Sequence, residues 1–168
     1  MEPLDDFVLG ETATPLSIGT SEENRAAALA MVSQGRRTVL IFSRDLDPRV
    51  YNTAEFADAL STLARLSKYS WIRMLVQDSS GIVRDGHRLV ELARRLSSRV
   101  ELRKAHPDFR DANRAFLVVD EIGLILRVPA DRYDAVVSFH DGMAARGQTR
   151  FFHRVWDRSA PDPELRRL

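Results

Sequence analysis

The sequence predicts an α/β domain, a mixed β-sheet with helices on both faces. Three observations carry that expectation. Apolar runs of strand length alternate with stretches of helical period between about residue 20 and residue 104, as strand–helix units do. Two further runs, Phe116–Val119 and Leu124–Val128, flank Asp120, Glu121 and Gly123, which is how an antiparallel hairpin is written. These runs are too continuous for a sheet with one wet face, so helices should cover both sides.

Composition sets the outer limits. The 168 residues, 44% hydrophobic and 29% charged, suit one core, since single domains run to about 100–200 residues. The absence of cysteine excludes a disulfide framework and a thiolate metal site. The acidic start MEPLDDFVLG lacks the basic region and apolar core of a secretory signal. No apolar run approaches the roughly 18 residues of a transmembrane segment, so a cytoplasmic protein is expected.

In order along the chain, residues 1–19 contain Pro3, Pro15 and two glycines without a sustained period, and read as an acidic arm anchored by residues such as Phe7 and Leu9. Thr20 with Glu23 has capping-box spacing, Ala26–Val32 are helix formers, and Gly35 supplies the stop. Thr38–Ser43 is a buried strand. RDLDPRVYNT reads as a loop, and Asn52 with Glu55 predicts the cap of a helix over Thr53–Leu66 that buries Phe56, Leu60 and Leu63. Trp71–Val76 is a second strand. QDSSGIVRDG is a turn-rich loop before a helix that buries Leu89, Val90, Ala93 and Leu96 and turns Arg88, Arg94 and Arg95 to water. Val100–Arg103 is a third strand, and KAHPDFRDA a polar loop into the hairpin. After PADRYD, another loop, Ala135–His140 is a short strand and Asp141 caps a long last helix. Met143, Phe151, Phe152, Val155 and Trp156 give that helix a broad apolar stripe that closes one face of the sheet. The domain is expected over residues 20–160, with 161–168 a C-terminal tail.

The net charge of +1 hides an asymmetry: residues 1–24 hold six acids and no Lys or Arg, leaving 25 basic against 18 acidic residues beyond them. An acidic arm before a basic body can fold back over an anion-binding face. The competing reading is compositional, because only Lys68 and Lys104 are lysines and the charges read as spread along the chain, with no clustered basic stripe or stacked aromatic series for nucleic acid.

The element order, the VVD of Val118–Asp120 and the aromatic closing helix resemble one half of a phospholipase D-like domain, over roughly Arg36–Trp156. In that superfamily the first strand of a hairpin carries H-x-K-x4-D, and a Gly-Ser-rich segment follows on the second. With Asp120 on the motif's aspartate, Asn113 stands where the histidine belongs and Ala115 where the lysine belongs. The family's histidine attacks phosphorus and its lysines balance the phosphate charge, and neither asparagine nor alanine does either. None of His87, His106, His140 and His153 is followed two positions later by lysine, so no second copy of the motif exists. The resemblance therefore implies a phospholipase D-like half-domain that has lost hydrolysis and acts as a binding or regulatory module for a phosphate-bearing ligand or a protein partner. Relatives with a single half complete their site by pairing, which implies a homodimer. Arg127 falls near the Gly-Ser slot and is a candidate anion ligand together with Arg114.

Each candidate has a plainer alternative. Asp120 is either a surviving site carboxylate or the residue that fixes the turn. Arg127 either holds an anion or sits in an ion pair. His106, Asp108 and Asp111 are either metal ligands or a polar Pro-containing loop, and His106 with Asp108 and Asp120 is the alternative catalytic set of a live phosphodiesterase or nuclease. Phe151, Phe152 and Trp156 either line a cleft or form core. No metal or cofactor is expected. A nucleic-acid-binding protein is the third reading, allowed by the resemblance.

Overall fold

Thr38–Ser43 becomes β2, the strand from which the sheet grows in both directions in the computed structural model, which describes residues 3–167. On one side lie β3 (Trp71–Val76) and β4 (Val100–Lys104), both parallel to it. On the other side β5 (Ala115–Val119), β6 (Gly123–Arg127) and β7 (Ala135–Ser138) follow antiparallel, and β1 (Leu16–Ile18) adds the edge. The sheet order is thus β1-β7-β6-β5-β2-β3-β4. Parallel strands need crossovers, and these are the helices α1 (Ser21–Val32), α3 (Ala54–Ala64) and α5 (Arg88–Arg95) around the short α2 (Pro48–Tyr51) and α4 (Ser80–Asp85).

The pleat divides the core in two. Val39, Ile41, Leu117, Val119, Ile125 and Val137 pack beneath α1, α3 and α5. Leu40, Phe42, Leu75, Phe116, Val118 and Leu124 face α6 (Gly142–Arg158), which contributes Phe151, Phe152, Val155 and Trp156. Both faces of the hairpin are covered, and every residue of β5 is buried. The closing-helix aromatics are core, with Phe152 stacked on Trp156 at 5.7 Å. Met143 departs from the expected stripe: it is 81% exposed, because it lies in the first turn, before the helix reaches the sheet.

Other departures have local causes. Leu16–Ile18, in the stretch read as an irregular arm, pairs with β7 because an antiparallel edge needs only three residues in register. Phe7 is buried as expected, and Gln34 of the α1–β2 turn ties the arm down by accepting from Leu9 N–H and donating to Phe7 C=O. The cap of α3 is Thr53, whose hydroxyl accepts from Phe56 N–H, whereas Asn52 ends α2 and accepts from Arg88 N–H instead. Thr20 and Glu23 form the full capping box of α1, and Asp141 caps α6. At the other end of the chain Leu165 is buried and Ala160 bridges to Lys104. The hairpin turns at Asp120 and Glu121, with φ of 55° and 56°, while Gly123 is a strand residue that a Cβ would bring to 2.6 Å from Leu9.

Candidate functional site

A cleft of about 430 Å³ opens off the carboxyl end of β2, where the parallel half of the sheet meets the antiparallel half. That is the usual ligand position in an open α/β sheet. Its floor is the turn after β2. Leu46 has φ 58°, a conformation that L residues hold only when their surroundings impose it, and here they do. Its side chain is fully buried, its N–H donates to Ser43 Oγ, and its C=O accepts from His87 Nε2 at 2.9 Å. His87 Nδ1 accepts from Leu89 N–H, so Nε2 carries the proton and both ring nitrogens are committed. Burial holds the His87 pKa below its ordinary value.

The wall of the cleft is Arg127. Its side chain is 9% exposed, and its guanidinium pairs with Asp47 Oδ2 at 3.0 Å and donates through Nε to Arg132 C=O and through Nη2 to Ala130 C=O. It also lies 4.8 Å from the ring centre of Tyr133, whose hydroxyl donates to Asp47 Oδ1. Partial burial, and then the Asp47 carboxylate, raise the Tyr133 pKa, so the phenol stays protonated. Asn24 of α1 donates to Tyr133 C=O and pins the same loop from outside. Asp47 is therefore spent on two donors, and Arg127 on three acceptors.

The expected motif positions are split. Ala115 lies directly across the hairpin from Arg127, and the Asn113 side-chain oxygen accepts from Ala130 N–H at 3.0 Å, so each neighbours a residue that lines the cleft. Asp120 sits about 17 Å away, beyond the far end of five-residue β5. There its carboxylate accepts from the backbone N–H groups of Arg36, Arg37 and Thr38, which makes it the turn-fixing residue. Arg114 and Arg127 are not brought together within one chain. Arg127 shares the α1 face with Ala115, and Arg114 is on the α6 face, where it donates to Gln148 Oε1 and lies 4.2 Å from the Phe151 ring centre.

His106 Nδ1 caps the turn at Asp108, Asp108 pairs with Arg158 at 2.6 Å, and Asp120 is at the other end of the sheet, so that set does not assemble. No group of three His, Asp or Glu able to hold a metal occurs among the described residues. At the cleft mouth Arg44 and Arg49 are exposed beside Asp45 and Asp131, which leaves the lining balanced in charge. The arrangement can hold a ligand, but it presents no nucleophile with a free base.

One charged feature escaped the linear reading. Arg146, Arg150, Arg154 and Arg158 are all exposed along α6, at a four-residue interval, where the charges had read as dispersed. The signal was that interval within a predicted helix, since residues four apart share a ridge.

The model of a family described as a domain of unknown function (DUF7931) matches residues 20–168. No curated protein matches the sequence. Among solved structures the chain is similar to TrmBL2, an archaeal chromatin protein whose structure shows a novel mode of DNA binding, with 12% identity and a TM-score of 0.64. That similarity covers 90% of this chain and 54% of TrmBL2, so the chain spans about half of TrmBL2's length. It is also similar to Nuc from Salmonella typhimurium, a phospholipase D family member, with 13% identity, a TM-score of 0.62 and coverage of 88% and 97%. NucT from Helicobacter pylori gives 11% identity, a TM-score of 0.61 and coverage of 90% and 100%. These likenesses establish a phospholipase D-like fold. No helix among the described residues is long and apolar enough to cross a membrane.

Proposed function

The chain belongs to the DUF7931 family, and from that membership and its phospholipase D-like fold we propose that it is a non-hydrolysing member of the fold, a domain that binds or regulates. One observation carries the reading. At the positions where the resemblance sets the nucleophilic histidine and its lysine stand Asn113, whose side-chain oxygen is committed to Ala130 N–H, and Ala115, which has no charge to offer. Asp47 neutralises Arg127, which lies across the hairpin from Ala115, so the cation nearest these positions is already paired. TrmBL2, about half of which shares the fold, is a chromatin protein that binds DNA, and this supports a binding role for a protein that carries the fold. A phosphate-bearing ligand is the class we infer, from the fold's likeness to a DNA-binding protein and not from the cleft, whose buried arginine is already paired.

The test is turnover of bis(p-nitrophenyl) phosphate, plasmid DNA and a phosphatidylcholine vesicle across the pH range in which the protein stays folded. We expect no product from any of them. A trapped phosphohistidine, or product from any of these substrates that stays with the protein at constant specific activity through purification, would overturn the reading. Restoring Asn113→His and Ala115→Lys together is expected to leave the protein inactive, because the Asp47–Arg127 pair still occupies the position beside them.

A further inference from the structure

We propose that the exposed face of α6 is a docking surface for the phosphate backbone of a nucleic-acid duplex, on the opposite side of the sheet from the cleft. Arg146, Arg150, Arg154 and Arg158 lie along one ridge of this 17-residue helix, with successive guanidinium stems about 6 Å apart along the axis. That step is comparable with the spacing of neighbouring phosphates on one strand. Arg114 joins the row from the position just before β5, held by Gln148 and by the Phe151 ring, over which Arg154 also lies at 5.4 Å.

The row is not a by-product of an arginine-rich composition. On α3 the exposed surface carries Glu55 and Asp58, and on α1 Glu22 accompanies Arg25, whereas Asp157 is the one acid within α6. Like charges four residues apart repel and weaken a helix. Among the described residues Arg146, Arg150 and Arg154 have no salt-bridge partner, and only Arg158 is paired, to Asp108. None of these three charges is neutralised by an ion pair among the described residues, Arg154 resting only on the Phe151 ring, and an external polyanion is what would offset their repulsion.

The chemistry selects among polyanions. A planar guanidinium fork suits phosphate. A membrane-surface helix inserts an apolar stripe, but the aromatic stripe of α6 is buried against the sheet, so a lipid surface is disfavoured. Single-strand binders offer rings for bases to stack on, and here Phe109 and Phe151 are covered by Arg158, Arg114 and Arg154, which leaves a backbone-reading, sequence-tolerant surface.

This inference names a surface for the binding role proposed above, and its failure would leave the loss of hydrolysis standing, because one is read by affinity and the other by turnover. The experiment is anisotropy of a labelled DNA duplex over a salt series with the full chain. With four to five phosphates neutralised, the slope of log association constant on log salt is expected near about −4, so affinity falls roughly 250-fold between about 50 and 200 mM salt. The triple variant Arg146→Gln, Arg150→Gln, Arg154→Gln should shallow that slope by about 2.7 and melt no lower than wild type. A charge-matched control on α5, with Arg88→Gln, Arg94→Gln and Arg95→Gln, should keep the slope, as should changing the three α6 arginines to lysine. The proposal is overturned if wild type does not bind the duplex at about 50 mM salt. It also fails if both glutamine triples weaken binding equally, if single strands bind more tightly than duplex, or if phosphatidylserine vesicles bind through the row and DNA does not.

Discussion

Arginine 127 shows how a side chain can look available in a sequence and be fully occupied in a fold. At a strand end it resembles a free cation, but burial leaves it stable only with its charge and donors satisfied, and Asp47, Arg132 C=O and Ala130 C=O supply that. Arg127→Ala strands Asp47 in the wall of the cleft, so a loss of about 3–5 kcal/mol is expected, with a smaller loss when Asp47 is also removed. Urea denaturation of the two variants checks this, and a single variant as stable as wild type would refute it. His87, 4% exposed, behaves differently. Its pKa is lowered by burial, so between that value and the ordinary 6.5 the unfolded chain binds the extra proton. Stability from this group is complete above about 6.5 and falls as pH drops below it; His153, lowered by partial burial, acts in the same direction. In His87→Asn, which can still cap α5, the decline in melting temperature from about pH 6.5 to about 5 is expected to be shallower than in wild type.

Among the elements, the β5–β6 hairpin depends most on a contact distant in sequence. Its two left-handed residues, Asp120 and Glu121, are costly for L side chains, and the tie from Asp120 to three amides at the start of β2 offsets that cost. Asp120→Ala removes the acceptor from all three at once and is expected to destabilise the protein by about 2–3 kcal/mol. The Arg36–Thr38 amides should then lose hydrogen-exchange protection while α6 keeps its own; unchanged protection at those amides would count against the role. Helix α6 makes the opposite use of its sequence. One side is committed to the sheet by Phe152, Val155 and Trp156, and the other is left to arginine.

At the scale of the molecule, we propose a two-fold homodimer, as expected of a single half-domain of this fold. Val136, 47% exposed, and Val128, 61% exposed, sit with Leu126 on the part of the α6 face that the helix does not cover, next to the loop that encloses Arg127. Apolar residues left open beside a cleft suit a self-complementary contact. Light scattering at micromolar concentration should give twice the chain mass of 19.1 kDa, and Val136→Asp should halve it; a monomeric wild type ends the proposal. Phe7 and Leu9 of the acidic arm pack on the α1 side of the sheet, whereas α6 closes the other.

The sequence by itself determined the class of the fold and the identity of most elements. Period and length separate strand from helix wherever an element has one apolar stripe or none that is wet, as in Thr38–Ser43, the hairpin and α6. It also put Asn113 and Ala115 at the positions that the resemblance assigns to the reactive pair, and their side chains carry neither a nucleophile nor a charge. Only the tertiary structure decided what the remaining charges do. Asp47 meets Arg127 from 80 positions away, and Asp120 meets Thr38 across 82, so their pairing is set by strand order and register and leaves no local pattern to read. Strand parity also sent Arg114 and Arg127 to opposite faces, because side chains alternate along a strand and a sheet separates what two nearby positions suggest is together.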